Sequence, residues 1–162
     1  MTKDKIPSTP AIRFLRDKNV NFTIHPYEYI DGGGTAKFSG DSGVDEHIVI
    51  KTLIMEDDKK NPYVVLMHGD MQVSLKELAR ALGVKTVSPC SHETAERHTG
   101  YKIGGTSPFG LKKNIPVLME STIGDLEILY INAGARGLLL SIDPGEIIKL
   151  LGPSPVQVGR RG

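Results

Sequence analysis

Lys51 sits in the middle of Ile48-Val49-Ile50-Lys51-Thr52-Leu53-Ile54-Met55, an otherwise apolar and β-branched run. A strand buried on both faces has no place for a charge, because an unpaired buried ammonium is costly, so a lysine there marks a candidate site. The alternative is a strand with one solvent face, along which Lys51 extends to water. A second candidate is Thr99-Gly100-Tyr101-Lys102-Ile103-Gly104-Gly105-Thr106-Ser107-Pro108-Phe109-Gly110. Gly104 and Gly105 leave backbone N–H groups uncovered and Pro108 stiffens the exit, so the loop can present amides to a carbonyl or an anion. Equally, it can be a tight bend between strands. Arg97, Lys102, Lys112 and Lys113 surround it with no acid between them, a patch able to hold a few phosphates or simply to be solvated.

Other chemistries fail on spacing. His25, His47, His68, His92 and His98 form no ligand pair: His92-Glu93 is followed by Arg97-His98, not by a histidine at the zinc-protease position. No metal site and no cofactor are expected. His68, before Gly69-Asp70, reads as a strand-end turn residue. Cys90 lies beside a helix start that would lower its pKa, but nothing nominates a base for it, and a lone cysteine is more often a small packed residue. Gly105 to Lys112 falls short of a phosphate-binding P-loop, since Leu111 intervenes and no hydroxyl follows the lysine. A Gly-x-Ser-x-Gly nucleophile elbow is absent as well.

The elements that must position these residues are short. Thr9 caps a helix with Pro10 in its first turn and Ile12, Phe14 and Leu15 on its apolar face. Phe22 to His25 alternates and ends at Pro26 as a strand. Residues 31–43 show no persistent period and read as a flexible loop flanking a site. Ile48 to Met55 reads as a buried strand, joined through Asp57 to Pro62 to a second strand, Tyr63 to Met67, in a hairpin. Ser74-Leu75-Lys76-Glu77 is a capping box for a helix that stops at Gly83. A short strand from Lys85 to Ser88 and a helix from Ser91 to Gly100 follow. Strands are expected at 116–120, 127–131 and 138–142, with a turn at 132–137 before the last. A helix starts at Asp143-Pro144-Gly145-Glu146. Strands outnumber helices and arrive in hairpins, so the class is α+β with a mixed, mainly antiparallel sheet.

The 162 residues suit one compact domain spanning 1–162, and 39% apolar with 24% charged residues excludes a disordered or collagen-like chain. The 18 glycines and 10 prolines favour many turns over long helices. A net charge of +1 argues against a grip on long nucleic acid through many phosphates but leaves room for a local basic face on an RNA end. One cysteine excludes an internal disulfide and a cysteine-based zinc cluster. The first 25 residues hold no signal-peptide core, and no run approaches a membrane span, so a cytoplasmic protein with no membrane partner is expected.

The two candidate sites, taken together, resemble a known family. Val49-Ile50-Lys51-Thr52-Leu53 is similar to the lysine strand of the YbaK/EbsC proteins, free-standing relatives of the editing domain of bacterial prolyl-tRNA synthetase. Thr99-Gly100-Tyr101 followed by Gly104-Gly105-Thr106-Ser107-Pro108 resembles that family's Gly-x-x-x-Pro loop. Thr9-Pro10-Ala11, His25-Pro26-Tyr27 and Gly134-Ala135-Arg136-Gly137-Leu138 match in the same order along the chain. The resemblance implies a mixed, barrel-like sheet flanked by helices, and hydrolysis of the ester joining a wrong amino acid to the terminal ribose of tRNA, without a metal or a side-chain nucleophile. The partner implied is a mischarged tRNA, and a prolyl-tRNA synthetase is a second.

Carried over, Lys51 contacts the backbone or phosphate side of the tRNA end and positions the ester, and the amides of Gly104 to Pro108, with Gly104 and Gly105 as catalytic residues, hold the carbonyl and its developing oxyanion. Substrate contacts fall to Tyr27, Thr52, Thr106, Ser107, Pro108, Asn132, Gly134, Arg136 and Leu139. The attacking group is a water activated by the substrate's own hydroxyl, or the substrate's thiol in cysteine-specific members. Asn132 stands where YbaK proteins carry serine, and Leu139 where the cysteine-specific ones carry aspartate, which suits a small or apolar aminoacyl group. Phe38 is the candidate for the pocket-lining aromatic. The competing readings are a non-catalytic module for a tRNA end or nucleotide that docks on a synthetase, and a small-molecule esterase.

Overall fold

The structure, a computed structural model, describes residues 7–161; Lys3, Asp4 and Lys5, part of the reading of the amino end, lie outside them. Helix α1 (Pro10–Asp17) starts as its sequence dictates: the Thr9 hydroxyl accepts from the Ile12 N–H at 3.1 Å, and Ala11, Ile12 and Leu15 are buried. Strand β1 (Thr23–Pro26) follows.

The centre is the hairpin of β2 (Ile50–Asp57) and β3 (Pro62–His68), in unbroken register from Ile50↔His68 to Glu56↔Pro62. Its turn is organised by Asp57, whose carboxylate accepts from the N–H groups of Lys59 (2.9 Å) and Asn61 (3.0 Å) and from the Tyr63 hydroxyl (2.9 Å). Burial alone would raise this carboxyl's pKa, but the hydrogen bonds outweigh it and hold it at about 2.

Strand β4 (Met71–Val73) leads into α3 (Leu75–Leu82), where Ser74 caps the Glu77 N–H at 3.2 Å and Gly83 closes the helix in the left-handed region. After β5 (Val87–Pro89), α4 (His92–Thr99) runs from its Ser91 cap to Gly100. Strands β6 (Val117–Glu120), β7 (Leu129–Ala135) and β8 (Leu138–Ile142) precede α5 (Pro144–Leu151), capped by Asp143. Strands β9 (Ser154–Val156) and β10 (Gly159–Arg161) follow it.

The strands form a five-stranded mixed sheet ordered β5-β2-β3-β6-β9, a three-stranded sheet β1-β8-β7 and a two-stranded pair β10-β4. A parallel bridge from Val49 to Tyr130 links the first two into an incompletely closed barrel, so the fold is α+β with a mixed sheet as expected. The main core fills it: Ile50, Ile54, Leu66 and Met119 from the larger sheet meet Ile131, Leu140 and Ile142 from the smaller, with Ile12, Leu15 and Phe109 alongside. Met55, Val65 and Met67 on the other face of the larger sheet pack in a second core with Leu78 of α3. Strand β2 therefore divides two cores, which is why its sequence is apolar in almost every position.

Two expectations fail here. Residues 31–43 are not a loop throughout: Gly34–Ser42 form helix α2. Its start has no side-chain cap, and it is held instead by burial of Phe38, by a 2.6 Å Lys37–Asp41 ion pair and by the Ser42 hydroxyl on the Phe38 carbonyl. Likewise β7 runs through Asn132 and Ala133 to Ala135, taking most of the segment read as a turn. An irregularity between Asn132 and Ala135, centred on Gly134 at φ +97°, lets the strand continue.

Candidate active site

Strand β5 covers β2 only over Met55↔Pro89 to Asp57↔Val87, so the edge of β2 upstream of that pairing is open. The Cys90 N–H donates to the Ile54 carbonyl at 2.9 Å, which fixes Ile54 as pointing away from β3. With no shift in the β2–β3 register, the Thr52 N–H and carbonyl point the same way, into the gap. That gap is a cavity of about 690 Å³, lined from β2 by Lys51, Thr52 and Leu53, and facing Gly104, Thr106, Asn132 and Leu139. It straddles the strand: the Lys51 side chain lies on the face of Leu53 and Met55, and Thr52 on the opposite face with Ile50 and Ile54.

Lys51 is half-buried, and among the described residues no carboxylate lies within ion-pair distance of it. Burial holds its ammonium below the usual lysine range, and the Glu46 and Asp70 carboxylates nearby oppose that shift. Both carboxylates are engaged elsewhere. Glu46 accepts from the Thr35 hydroxyl at 2.7 Å, and Asp70 lies 2.9 Å from His47 Nδ1. Thr52 Oγ1 is buried and, among the described residues, is the one buried side-chain polar atom without a hydrogen-bond partner. A buried hydroxyl without a partner is an unmet donor and acceptor, and its residue borders the cavity.

The glycine loop packs tightly. The Tyr101 hydroxyl donates to the Phe109 carbonyl at 2.5 Å, and burial pushes its pKa up to about 12. A Cβ on Gly105 would come within 3.0 Å of the Ala135 and Arg136 backbone, which explains that glycine by packing. The Gly104–Gly105 peptide is tied at both ends. Asn132 Nδ2 donates to the Gly104 carbonyl at 2.9 Å, and the Gly105 N–H donates to the Lys102 carbonyl at 2.8 Å. The Gly105 amide is therefore already bonded and is not a donor for an oxyanion, contrary to the sequence expectation. The Gly104 and Thr106 N–H groups make no backbone hydrogen bond among the described residues, and both residues line the cavity.

Of the expected residues, Tyr27, Lys51, Thr52, Gly104, Thr106, Asn132 and Leu139 line this cavity. Gly105, Ser107, Pro108, Gly134 and Arg136 do not. Ser107 and Pro108 are buried within the loop. Arg136 Nε donates to the Ile103 carbonyl at 2.9 Å with its guanidinium over the Tyr29 ring, and the Gly134 N–H donates to Asn132 Oδ1 at 2.7 Å. These two bonds tie the loop and Asn132 in place.

Phe38 does line the cavity, edge-to-face with Tyr27 at 5.5 Å and packed with Leu139 and Val49. Sequence reasoning missed Gln72, Val73 and Leu75, brought to the rim by β4 and the start of α3. The capping box at Ser74 was the only local signal of that region. His68 closes β3 but is fully buried, its Nδ1 donating to the His47 carbonyl at 2.7 Å and its ring stacked 3.8 Å from that of His47. Burial lowers its pKa. Cys90 lines the cavity, yet its thiol is pushed up to about 11 by burial and by the Glu56 carboxylate, the reverse of the expected helix-start effect. Among the described residues no group of three or more His, Cys, Asp or Glu could hold a metal ion, and no helix is long and apolar enough to cross a membrane.

This fold and cavity define a tRNA-editing class: residues 35–150 match the aminoacyl-tRNA editing domain, and the chain belongs to that family. It is 29% identical over 143 residues to an Enterococcus faecalis protein, EbsC, whose name assigns it provisionally as a Cys-tRNA(Pro)/Cys-tRNA(Cys) deacylase; the match covers 88% of this chain and 87% of that one. It is also 28% identical over 136 residues to the proline–tRNA ligase of Thermodesulfovibrio yellowstonii, covering 84% of this chain and 22% of the ligase. A crystal structure whose title describes, provisionally, a trans-editing enzyme for prolyl-tRNA synthetase superposes with a TM-score of 0.83 at 18% identity. That superposition covers 96% of this chain and 99% of the other, and the likeness shows the shared fold.

Proposed function

We propose that this protein is a trans-acting aminoacyl-tRNA deacylase that hydrolyses the ester of a mischarged tRNA, with tRNA(Pro) carrying cysteine or another small amino acid as its substrate. The observation that carries this reading is the cavity at the open β2 edge. A half-buried ammonium that makes no ion pair among the described residues, the residue of an orphaned hydroxyl, and loop residues whose N–H groups make no backbone hydrogen bond among the described residues all line this one cavity, beside an apolar wall. The likeness to EbsC and to proline–tRNA ligases supports the substrate class.

In this reading the Lys51 ammonium holds a phosphate of the acceptor end, replacing by a charged hydrogen bond the solvent it has lost. The Gly104 and Thr106 N–H groups, already oriented by the tied peptide between them, take the carbonyl oxygen as it becomes negative; each such donor is worth roughly 3 kcal/mol. A water adds to the carbonyl carbon, the ester C–O bond breaks, and the ribose oxygen leaves with a proton relayed through the neighbouring ribose hydroxyl. With its pKa near 11, Cys90 is a neutral thiol at neutral pH and takes no part as a nucleophile. Tyr27, Phe38 and Leu139 offer the side-chain pocket contact area without charge, which favours alanine or cysteine over serine.

The test is release of amino acid from tRNA(Pro) charged with Cys, Ala or Ser. Lys51→Ala is expected to lower kcat/KM by about 10- to 100-fold, the worth of one charge-assisted hydrogen bond. Full activity in that variant overturns the assignment of Lys51. Binding of tRNA with no release from any species replaces the deacylase by a non-catalytic tRNA-binding module.

A further inference from the structure

The carboxyl-terminal strand lies beyond the residues that match the editing-domain family, yet it is built into the rim of the cavity. β10 pairs antiparallel with β4 in the register Gly159↔Val73, Arg160↔Gln72 and Arg161↔Met71. Gln72 and Val73 both line the cavity beside Lys51. Partners across an antiparallel pair share a face, so Arg160 stands on the same side as Gln72, one strand spacing (about 4.8 Å) farther out.

This strand is anchored by a buried group. Glu120, 6% exposed, accepts from the Val158 N–H at 2.7 Å and from the Gly159 N–H at 2.9 Å, and a Cβ on Gly159 would come within 2.6 Å of that carboxylate. The Ser74 N–H adds a bond to the Val158 carbonyl at 2.8 Å. A buried carboxylate committed to two consecutive N–H groups fixes where the next two residues, both arginines, must lie.

The charge arrangement there is one-sided. Arg160 is exposed and, among the described residues, in no ion pair; Arg161, its side chain 78% exposed, is 3.8 Å from Asp70. Asp31 lines the cavity, and two further acids lie near Lys51. Asp70 is shared between His47 and Arg161, and Glu46 is bonded by Thr35. Arg160 and the exposed Lys76 of α3, next to the lining residue Leu75, are therefore the cations beside Gln72 and Leu75 that make no ion pair among the described residues, while Arg161 lies on the opposite face of β10.

We infer that Arg160 provides a phosphate-binding surface for the RNA backbone immediately upstream of the acceptor end that the cavity holds. This rests on the deacylase reading for the identity of the polyanion, and extends it to a segment outside the family match. Lys51 takes the phosphate nearest the ester, and Arg160 takes one that follows as the RNA leaves over β4. Guanidinium groups suit this role because they hold a phosphate by two parallel N–H bonds.

The test uses the full chain and an uncharged tRNA(Pro) transcript, with affinity measured across a salt series, so that it does not depend on ester hydrolysis. Arg160→Ala is expected to weaken binding about 3- to 30-fold at ~0.1 M salt. It should also lower the slope of log K against log salt by about 0.7 to 1, the signature of one lost phosphate contact. Arg160→Lys is expected to restore part of the affinity and the whole of the slope. Lys149→Ala, an exposed cation on α5, should leave both unchanged. An unchanged slope in Arg160→Ala overturns this surface and leaves the deacylase reading intact. A wild-type protein that neither binds the tRNA nor releases amino acid from it overturns both.

Discussion

A single hydroxyl states the conflict between stability and function in this molecule. Thr52 Oγ1 is desolvated without a partner, so the folded chain bears a cost of about 1–3 kcal/mol that a valine of the same shape would avoid. Thr52→Val is therefore expected to raise stability by about 1 kcal/mol in denaturant unfolding while lowering deacylation at least severalfold. A variant that gains stability and keeps full activity would show that the hydroxyl serves no substrate. Lys51 has the same logic with larger stakes, since its ammonium is held half-buried without an ion-pair partner. Both residues lie in one short run, and the lysine was legible as a charge where a buried strand allows none. What sequence could not show is that Thr52 lies on the opposite face of the strand yet borders the same cavity, a fact that depends on the edge between them being open. Cys90 went the other way. Its place before a helix suggested an acidic thiol, but burial and the carboxylate of Glu56, distant in sequence, decide its ionisation.

Elements formed where local signals were self-sufficient. The Thr9, Ser74, Ser91 and Asp143 caps each bond a backbone N–H of the turn they open, and each of those helices lies where its cap predicts. The β2–β3 turn is likewise local, organised by one carboxylate. Because the Asp57 pKa is about 2 in the folded chain against an ordinary 3.8, its contribution to stability is complete above pH 3.8 and is lost as pH falls towards 2. Between pH 4 and 2 the melting temperature of Asp57→Asn should consequently fall less steeply than that of the wild type, and parallel curves would remove Asp57 from acid unfolding. Helix α2 is the contrary case. Gly33 supplies no cap, and the segment Gly34-Thr35-Ala36-Lys37-Phe38-Ser39-Gly40 has weak helix propensity, so its structure comes from Phe38 seated against Tyr27, Tyr130 and Leu139.

In the whole molecule, one core is shared by two sheets, α1 and the glycine loop. Phe109, fully buried, stacks on Phe14 of α1 while its carbonyl accepts from Tyr101, so the loop at the cavity and the first helix are parts of the same packing unit. Phe109→Ala is expected to cost about 3–5 kcal/mol, and far-UV circular dichroism and tyrosine fluorescence should still report one coincident transition. Separate transitions would mean that the two sheets unfold independently. The sequence by itself determined the class of fold, the hairpin, the capped helices and the oddity of Lys51, because alternation, capping and desolvation act over a few residues or at one position. Tertiary structure alone decided that β5 stops short on β2 and opens the cavity, and that Asn132 and Lys102 tie off the Gly104 carbonyl and the Gly105 N–H at the two ends of one peptide. It also decided that Glu120 brings Arg160 to the rim. These are pairings between residues far apart in the chain, where local pattern carries no record of which partner, or which gap, will be found.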